Sequence, residues 1–300
     1  MASKKSSYYG PFFWVATISF IVPLFVAAKA FHEVPLTTRP TPHPDASGVD
    51  HALWDYLLKT YVENGLLDYD GIARDYLFRT YIRQLSEADP HKLTTAADDL
   101  ALLCNAYNAF VVDGVITHKI RDSVMNHPVA GKEFFDLEEH IFYGQTMSLN
   151  HIEHEIIRKR YKEPRVHVAL VCAARSCPAI RPEAYVGKRL ARQLEDQSIQ
   201  FANNPKYVAY DTRANTLRLS PILKWYGGDW KHLGGCLPWL AGRVQDSALQ
   251  QAIQRAARNE VKIAFFDYDW SLNAQAPQTI AATAGPKKQA SFGSGTVPNE

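Results

Sequence analysis

The sequence predicts an α+β protein: a helix-rich single domain with a small, mostly antiparallel sheet. Three observations lead there. Helical and strand-like runs follow one another in mixed order, with no internal repeat. The stretch from Ala96 to Arg121 is apolar nearly all round (Leu100, Leu103, Tyr107, Phe110, Val111, Val115), the pattern of a helix buried on every side. Two short runs, Tyr207 to Tyr210 and Thr216 to Leu219, flank D-T-R-A-N and read as a β-hairpin.

The elements follow in order. Asp50 to Gly65 carries Leu53, Tyr56, Leu57 and Tyr61 at helical spacing and ends at a glycine. Leu66 to Ile72 reads as a short strand or turn around Tyr69 and Asp70, and Tyr76 to Leu85 as a second helix. Asp89-Pro90 breaks the chain, and Thr94 or Thr95 caps the apolar helix. Phe134 to Leu149 is expected to be irregular, with a strand pair between Ile141 and Met147. Asn150, with Glu153 three positions on, predicts a capping box. On the helix that follows, His151, His154, Arg158 and Tyr161 share one face. Val166 to Cys172 is the most strand-like run in the chain. Glu183 to Asn203 is an amphipathic helix, and Ser220-Pro221 opens a short helix through Trp225. A Gly-rich loop holds Trp230 and His232. Ser247 to Asn259 forms a last helix and Val261 to Phe266 a last strand.

The two ends read differently. Lys4 and Lys5, an uncharged apolar run from Phe12 to Ala28, and Ala28-Lys29-Ala30 make residues 1–30 a secretory signal peptide, with an uncleaved signal anchor as the rival reading. The expected protein is therefore exported, periplasmic or extracellular. Residues 31–49, rich in Pro and Thr, form an extended linker, 50–273 the globular domain, and 274–300 a disordered tail. Loss of residues 1–30 removes three lysines and no acid, taking the formal charge from +2 to −1. A near-neutral protein makes no electrostatic case for nucleic acid. The expected partner is a small-molecule or peptide substrate, with membrane contact only through an uncleaved N-terminal segment.

The chain is organised around Arg165 to Pro178, R-V-H-V-A-L-V-C-A-A-R-S-C-P, a strand-like run leading to two of the four cysteines. This stretch is one of five blocks that resemble those of the domain-of-unknown-function 547 (DUF547) family. The others are N-A-Y-N-A-F at 105–110, I-E-H-E-I-I-R at 152–158, L-S-P-I-L-K-W-Y at 219–226 and Y-D-W-S-L-N at 268–273. The resemblance implies that Cys172, Cys177, His154, His167, Asn105, Asn108 and Arg158 belong to the family pattern. It implies no activity. It implies no export either, since members occur both as exported bacterial proteins and within larger eukaryotic chains.

Two readings of the cysteines compete. In the first, Cys177 is a thiolate nucleophile flanked by Arg175 and Arg181, with His154 or His167 as base and Asn105 orienting it. Asn108, Arg158, Arg175 and Ser176 then face the substrate, and the protein is a thiol-dependent hydrolase or acyl-transfer enzyme. Cys, His and Asn are the parts of papain-like hydrolases, although the chain order differs. In the second, Cys172 and Cys177 form a disulfide, and the protein is a non-catalytic stapled binding module with Trp225, Tyr226, Trp230 and Trp239 as its aromatic surface. A redox-active pair is a third option, although the spacing is not C-x-x-C. H-I-E-H-E at 151–155 has the wrong histidine spacing for H-E-x-x-H, so no metal and no cofactor is expected. Cys104 is read as an inert core thiol.

Overall fold

The computed structural model describes residues 40, 43–126 and 128–276. The expected signal segment, most of the linker and the tail beyond residue 276 lie outside the described residues. Three helices open the fold, each started by an aspartate: α1 (His51–Tyr61), α2 (Tyr69–Arg74) and α3 (Tyr76–Ser86). The side chains of Asp50, Asp68 and Asp75 accept from the backbone N–H groups of Ala52, Gly71 and Leu77, which would otherwise lack partners.

Strand β1 (Val62–Glu63) pairs antiparallel with β2 (Leu66–Leu67). The expected helix stop at Gly65 is instead the turn of this hairpin. Asn64 and Gly65 both have positive φ, 51° and 75°, as a tight two-residue hairpin requires. A Cβ on Gly65 would lie 2.6 Å from the Cβ of Ala179. Gly65→Ala is therefore expected to cost on the order of 2 kcal/mol, read as a lower urea midpoint.

Helix α4 (Ala96–Thr117) is the centre of the larger of two apolar cores. Thr95 caps it as predicted, accepting from the N–H of Asp98 at 3.0 Å. Among the described residues it is the one helix long and apolar enough to cross a membrane, and 83% of that apolar window is buried inside the protein, as in a core helix. The predicted strand pair after it is β3 (His140–Phe142) against β4 (Gln145–Met147). His140 is buried and stacked on Phe110, with ring centroids 4.8 Å apart. Burial, helped by nearby His118, lowers its pKa to about 4. A depressed histidine contributes its stability above the unfolded value of about 6.5 and loses it as pH falls through 4. Urea unfolding at pH 7 and pH 4 should show a loss on the order of 3 kcal/mol from this residue, absent in His140→Phe.

The next helix departs from expectation. Residues His151–Ile157 form a π-helix, which runs into α5 (Arg158–Tyr161). The predicted capping box is absent: Asn150 is itself helical and its amide donates to Asp136 at 2.7 Å, while Glu153 turns inward and is buried. π-helical turns recur at functional sites, and this one carries Glu153 and His154.

The predicted strand Val166–Cys172 is not a strand. Pro164–Val168 forms a 3₁₀ turn, started by Glu163, whose side chain accepts from the N–H of Arg165. A turn at Ala169, a bend at Leu170 and irregular backbone then lead to Cys172. Val166 lies in the larger core and Val168 in the smaller, so burial from both sides produces the apolar run without a sheet. The backbone partner a neighbouring strand would supply is a side chain. Asn108 Nδ2 donates to the Ala169 carbonyl at 3.0 Å, and the Val171 N–H donates to Asn108 Oδ1 at 2.9 Å.

The remainder forms the smaller core. Helix α6 (Leu190–Ala202) occupies the later part of the predicted amphipathic stretch, preceded by a 3₁₀ turn. Strands β5 (Val208–Asp211) and β6 (Thr216–Leu219) make the predicted hairpin. After α7 (Ile222–Trp225), the Gly-rich loop is a 3₁₀ helix that buries Trp230, and α8 (Cys236–Ala241) follows it. Helix α9 (Ser247–Ala256) leads to β7 (Lys262–Phe265), which joins β6 in parallel. The fold is α+β, and the described residues form three small sheets whose strand pairs are antiparallel except β6–β7.

Candidate functional site

Between the π-helix, the segment 167–177, α7 and the chain at 268–270 lies a cavity of about 470 Å³. One side is polar, carrying Glu153, His154, Arg158 and His167. Another carries Cys172 beside the rings of Trp225, Tyr268 and Trp270.

Asp229, which sequence reasoning did not single out, holds the polar side together. Arg158 Nε and Nη2 donate to its two carboxylate oxygens at 2.7 and 2.9 Å, a bidentate pair. His167 Nε2 lies 2.7 Å from the same carboxylate. The Arg158 hydrogen bonds are the main reason the Asp229 carboxyl titrates low, at about 2. A carboxylate only accepts, so His167 carries its proton on Nε2 and leaves Nδ1 as a lone pair. That nitrogen lies 3.8 Å from Glu153 Oε1. Burial outweighs both acids and lowers the His167 pKa, so the ring is neutral at pH 7. Tyr226 stacks on it at 3.9 Å. Arg158 Nη1 lies 3.1 Å from His154 Nδ1. A guanidinium only donates, so His154 Nδ1 accepts and Nε2 carries the hydrogen. Tyr107, from α4, donates to Glu153 Oε2 at 3.1 Å.

All four cysteines are free thiols, so the Cys172–Cys177 disulfide is not present. The two are nevertheless neighbours. The Cys172 N–H donates to Cys177 Sγ at 2.9 Å, and Cys172 Sγ lies 3.1 Å from the Tyr268 hydroxyl. The chain between them turns through Ala173 at φ 58°, in the left-handed region. Hydrogen bonding from Cys177 is the chief reason the Cys172 thiol sits below an ordinary cysteine. The Tyr268 hydroxyl and the Ala174 N–H add to it against the opposing effect of burial. Cys177 is itself buried, and that burial pushes its thiol well up. Cys172 is the half-buried, acidified thiol, and Cys177 is its hydrogen-bond donor.

The remaining expected site residues are placed elsewhere. Asn105 does not orient a histidine of the cavity. Its amide clamps the backbone of Tyr185, donating at 2.8 Å and accepting at 2.9 Å, and it touches His51 on α1. Asn108 holds the approach to Cys172 but does not line the cavity. Arg175 faces a separate cavity of about 180 Å³ on the far side of Cys177. Ser176 is spent on the chain at Asp269, whose N–H donates to its hydroxyl at 2.9 Å. Arg181 pairs with Glu183. Glu155 pairs with exposed Lys159, and burial pushes the Cys104 thiol up. Of the expected aromatic surface, Trp230 and Trp239 are buried and Trp225 is half-exposed. Glu153, Tyr107, Asp229 and Tyr268 were not read as site residues. The nearest signal was an acid set among glycines and aromatics, and a Tyr-Asp-Trp exit from the last strand.

Fold and site together define a helix-rich α+β protein with a free, hydrogen-bonded thiol in a cavity opposite a histidine–carboxylate pair. Residues 90–202 match the family described as "Protein of unknown function, DUF547". That is the family its sequence blocks resemble. The matched stretch holds both cysteines, both histidines, Arg158 and the two asparagines, while Asp229 and the rings at 225–226 and 268–270 lie beyond it. No curated protein and no solved structure matches the chain.

Proposed function

We propose that this is an exported thiol-dependent enzyme that hydrolyses or transfers acyl groups, with Cys172 as nucleophile. The supporting observation is the sulfur's surroundings: Cys172 Sγ lies on a cavity wall with the Tyr268 hydroxyl 3.1 Å away, and hydrogen bonding from its neighbours holds the thiol below an ordinary cysteine. His167 is the proton-transfer group. Asp229 fixes its tautomer and stabilises the imidazolium, the part an aspartate plays in a Ser-His-Asp triad. His154, whose Nδ1 accepts from Arg158, donates from Nε2 to the acyl oxygen as negative charge develops there.

In acylation the Cys172 sulfur forms a bond to the acyl carbon and the bond to the leaving group breaks. The thiol proton passes through His167 to the leaving group. In deacylation His167 Nδ1 takes a proton from water. The water oxygen bonds to the acyl carbon, the C–S bond breaks, and the proton returns to the thiol. Arg158 acts on both histidines through Asp229 and His154, as a positioning residue.

Alkylation of the native protein with iodoacetamide tests this reading. Cys172 is expected to react first, with a midpoint below that of an ordinary cysteine, while Cys177 stays unmodified until the protein unfolds. Preferential labelling of Cys177, or a Cys172 midpoint at or above the ordinary value, would overturn it.

A further inference from the structure

The charges around the cavity do not balance. Arg158 gives one N–H from each of its three nitrogens to this network, two to Asp229 and one to His154. Glu153 is 6% exposed, lines the cavity and, among the described residues, makes no direct ion pair with a lysine or arginine, feeling Arg158 only at longer range. Its neighbours are the Tyr107 and Tyr226 hydroxyls and the His167 lone pair at 3.8 Å. The same cavity is lined by three rings in mutual contact: Trp225 and Tyr268 at 4.8 Å, Tyr268 and Trp270 at 4.6 Å, and Trp225 and Trp270 at 6.1 Å. Trp225 is 51% exposed, so this cluster reaches solvent at the rim of the cavity.

Each ligand class meets this wall differently. An anion would face a carboxylate and a thiolate with no free cation to pair with. A neutral apolar ligand would strip water from Glu153 and replace it with nothing. An ammonium group would pair with Glu153 and lie against ring faces, which attract cations.

We propose that the cavity is an acceptor site for a primary amine, whose ammonium pairs with Glu153 and packs on the Trp225–Tyr268–Trp270 cluster. The role as acceptor rests on the thiol reading above; the ammonium subsite does not. In the transfer step the ammonium gives a proton to His167 Nδ1. The freed amine nitrogen bonds to the acyl carbon, the C–S bond to Cys172 breaks, and the Cys172 thiolate departs. A second proton leaves the nitrogen for solvent as the amide forms. The protein would then be an amide-forming acyltransferase, with hydrolysis as its reaction when no amine is bound.

Calorimetric titration of the full chain with n-butylammonium, 1-butanol and butyrate tests the subsite. Butylammonium is expected to bind at least tenfold more tightly than either of the others. Glu153→Gln should weaken it about tenfold, the worth of one charge-assisted hydrogen bond. Trp225→Ala, at a half-exposed position that leaves the core intact, should weaken it about fivefold. Equal binding of butanol or butyrate overturns the subsite. So does unchanged butylammonium affinity in Trp225→Ala, or in a Glu153→Gln protein with native circular dichroism. Cys172→Ala separates the two proposals. Butylammonium binding retained in that variant, with Cys172 unreactive in the wild type, would sink the thiol reading alone. A reactive Cys172 with no butylammonium binding would sink the subsite alone.

Discussion

Asn108→Ala is expected to lower folding stability by about 3–5 kcal/mol. The asparagine lies on α4, 4% exposed, and its amide serves both the Ala169 carbonyl and the Val171 N–H. Truncation leaves two backbone groups buried without partners, each costing about 1–3 kcal/mol. Asn108→Asp should also destabilise, because it keeps the acceptor for Val171 but turns an oxygen toward the Ala169 carbonyl. Urea unfolding with an unchanged m-value gives the measurement. A loss under about 1 kcal/mol would show that the segment before Cys172 holds its shape without the amide.

Tyr268→Phe is expected to slow alkylation of Cys172 at pH 7 by about tenfold, since the lost O–H donor serves the thiolate and not the thiol. The hydroxyl lies 3.1 Å from the sulfur. Cys177→Ala should slow the reaction at least as much, because Cys177 contributes the largest part of the acidification. In both variants the midpoint of the pH profile should move up, while the rate at high pH, where the thiol is ionised regardless, should change little. A purely structural role for either residue predicts the reverse: unchanged midpoint with altered limiting rate. That outcome would remove the basis for Cys172 as nucleophile.

Much of the fold was legible because it is written locally. Thr95, one of two threonines read as caps, announces a helix start by residue type alone, and the structure shows it capping as that chemistry requires. The β5–β6 hairpin and α9 follow from periodicities of two and 3.6. Val166 to Cys172 failed for an equally physical reason. Periodicity reports burial, and a strand flanked by helices and a turn wedged between two cores bury the same residues. Glu153 failed because a glutamate three positions into a helix carries the same spacing whether it caps the start or faces inward. The π-helical turn and the Tyr107 hydroxyl send it inward.

The sequence by itself singled out two thiols, two histidines, an arginine and two asparagines, because each sits in a short block of distinctive chemistry. The tertiary structure decided their roles. Cys172 takes its acidity partly from a tyrosine 96 residues away, and His167 its orientation from an aspartate 62 residues away. The same aspartate holds Arg158 across 71 residues. Spacing along the chain cannot report such pairings. Reactivity follows from which donors, charges and burial surround a group, and those are fixed only when the segments meet.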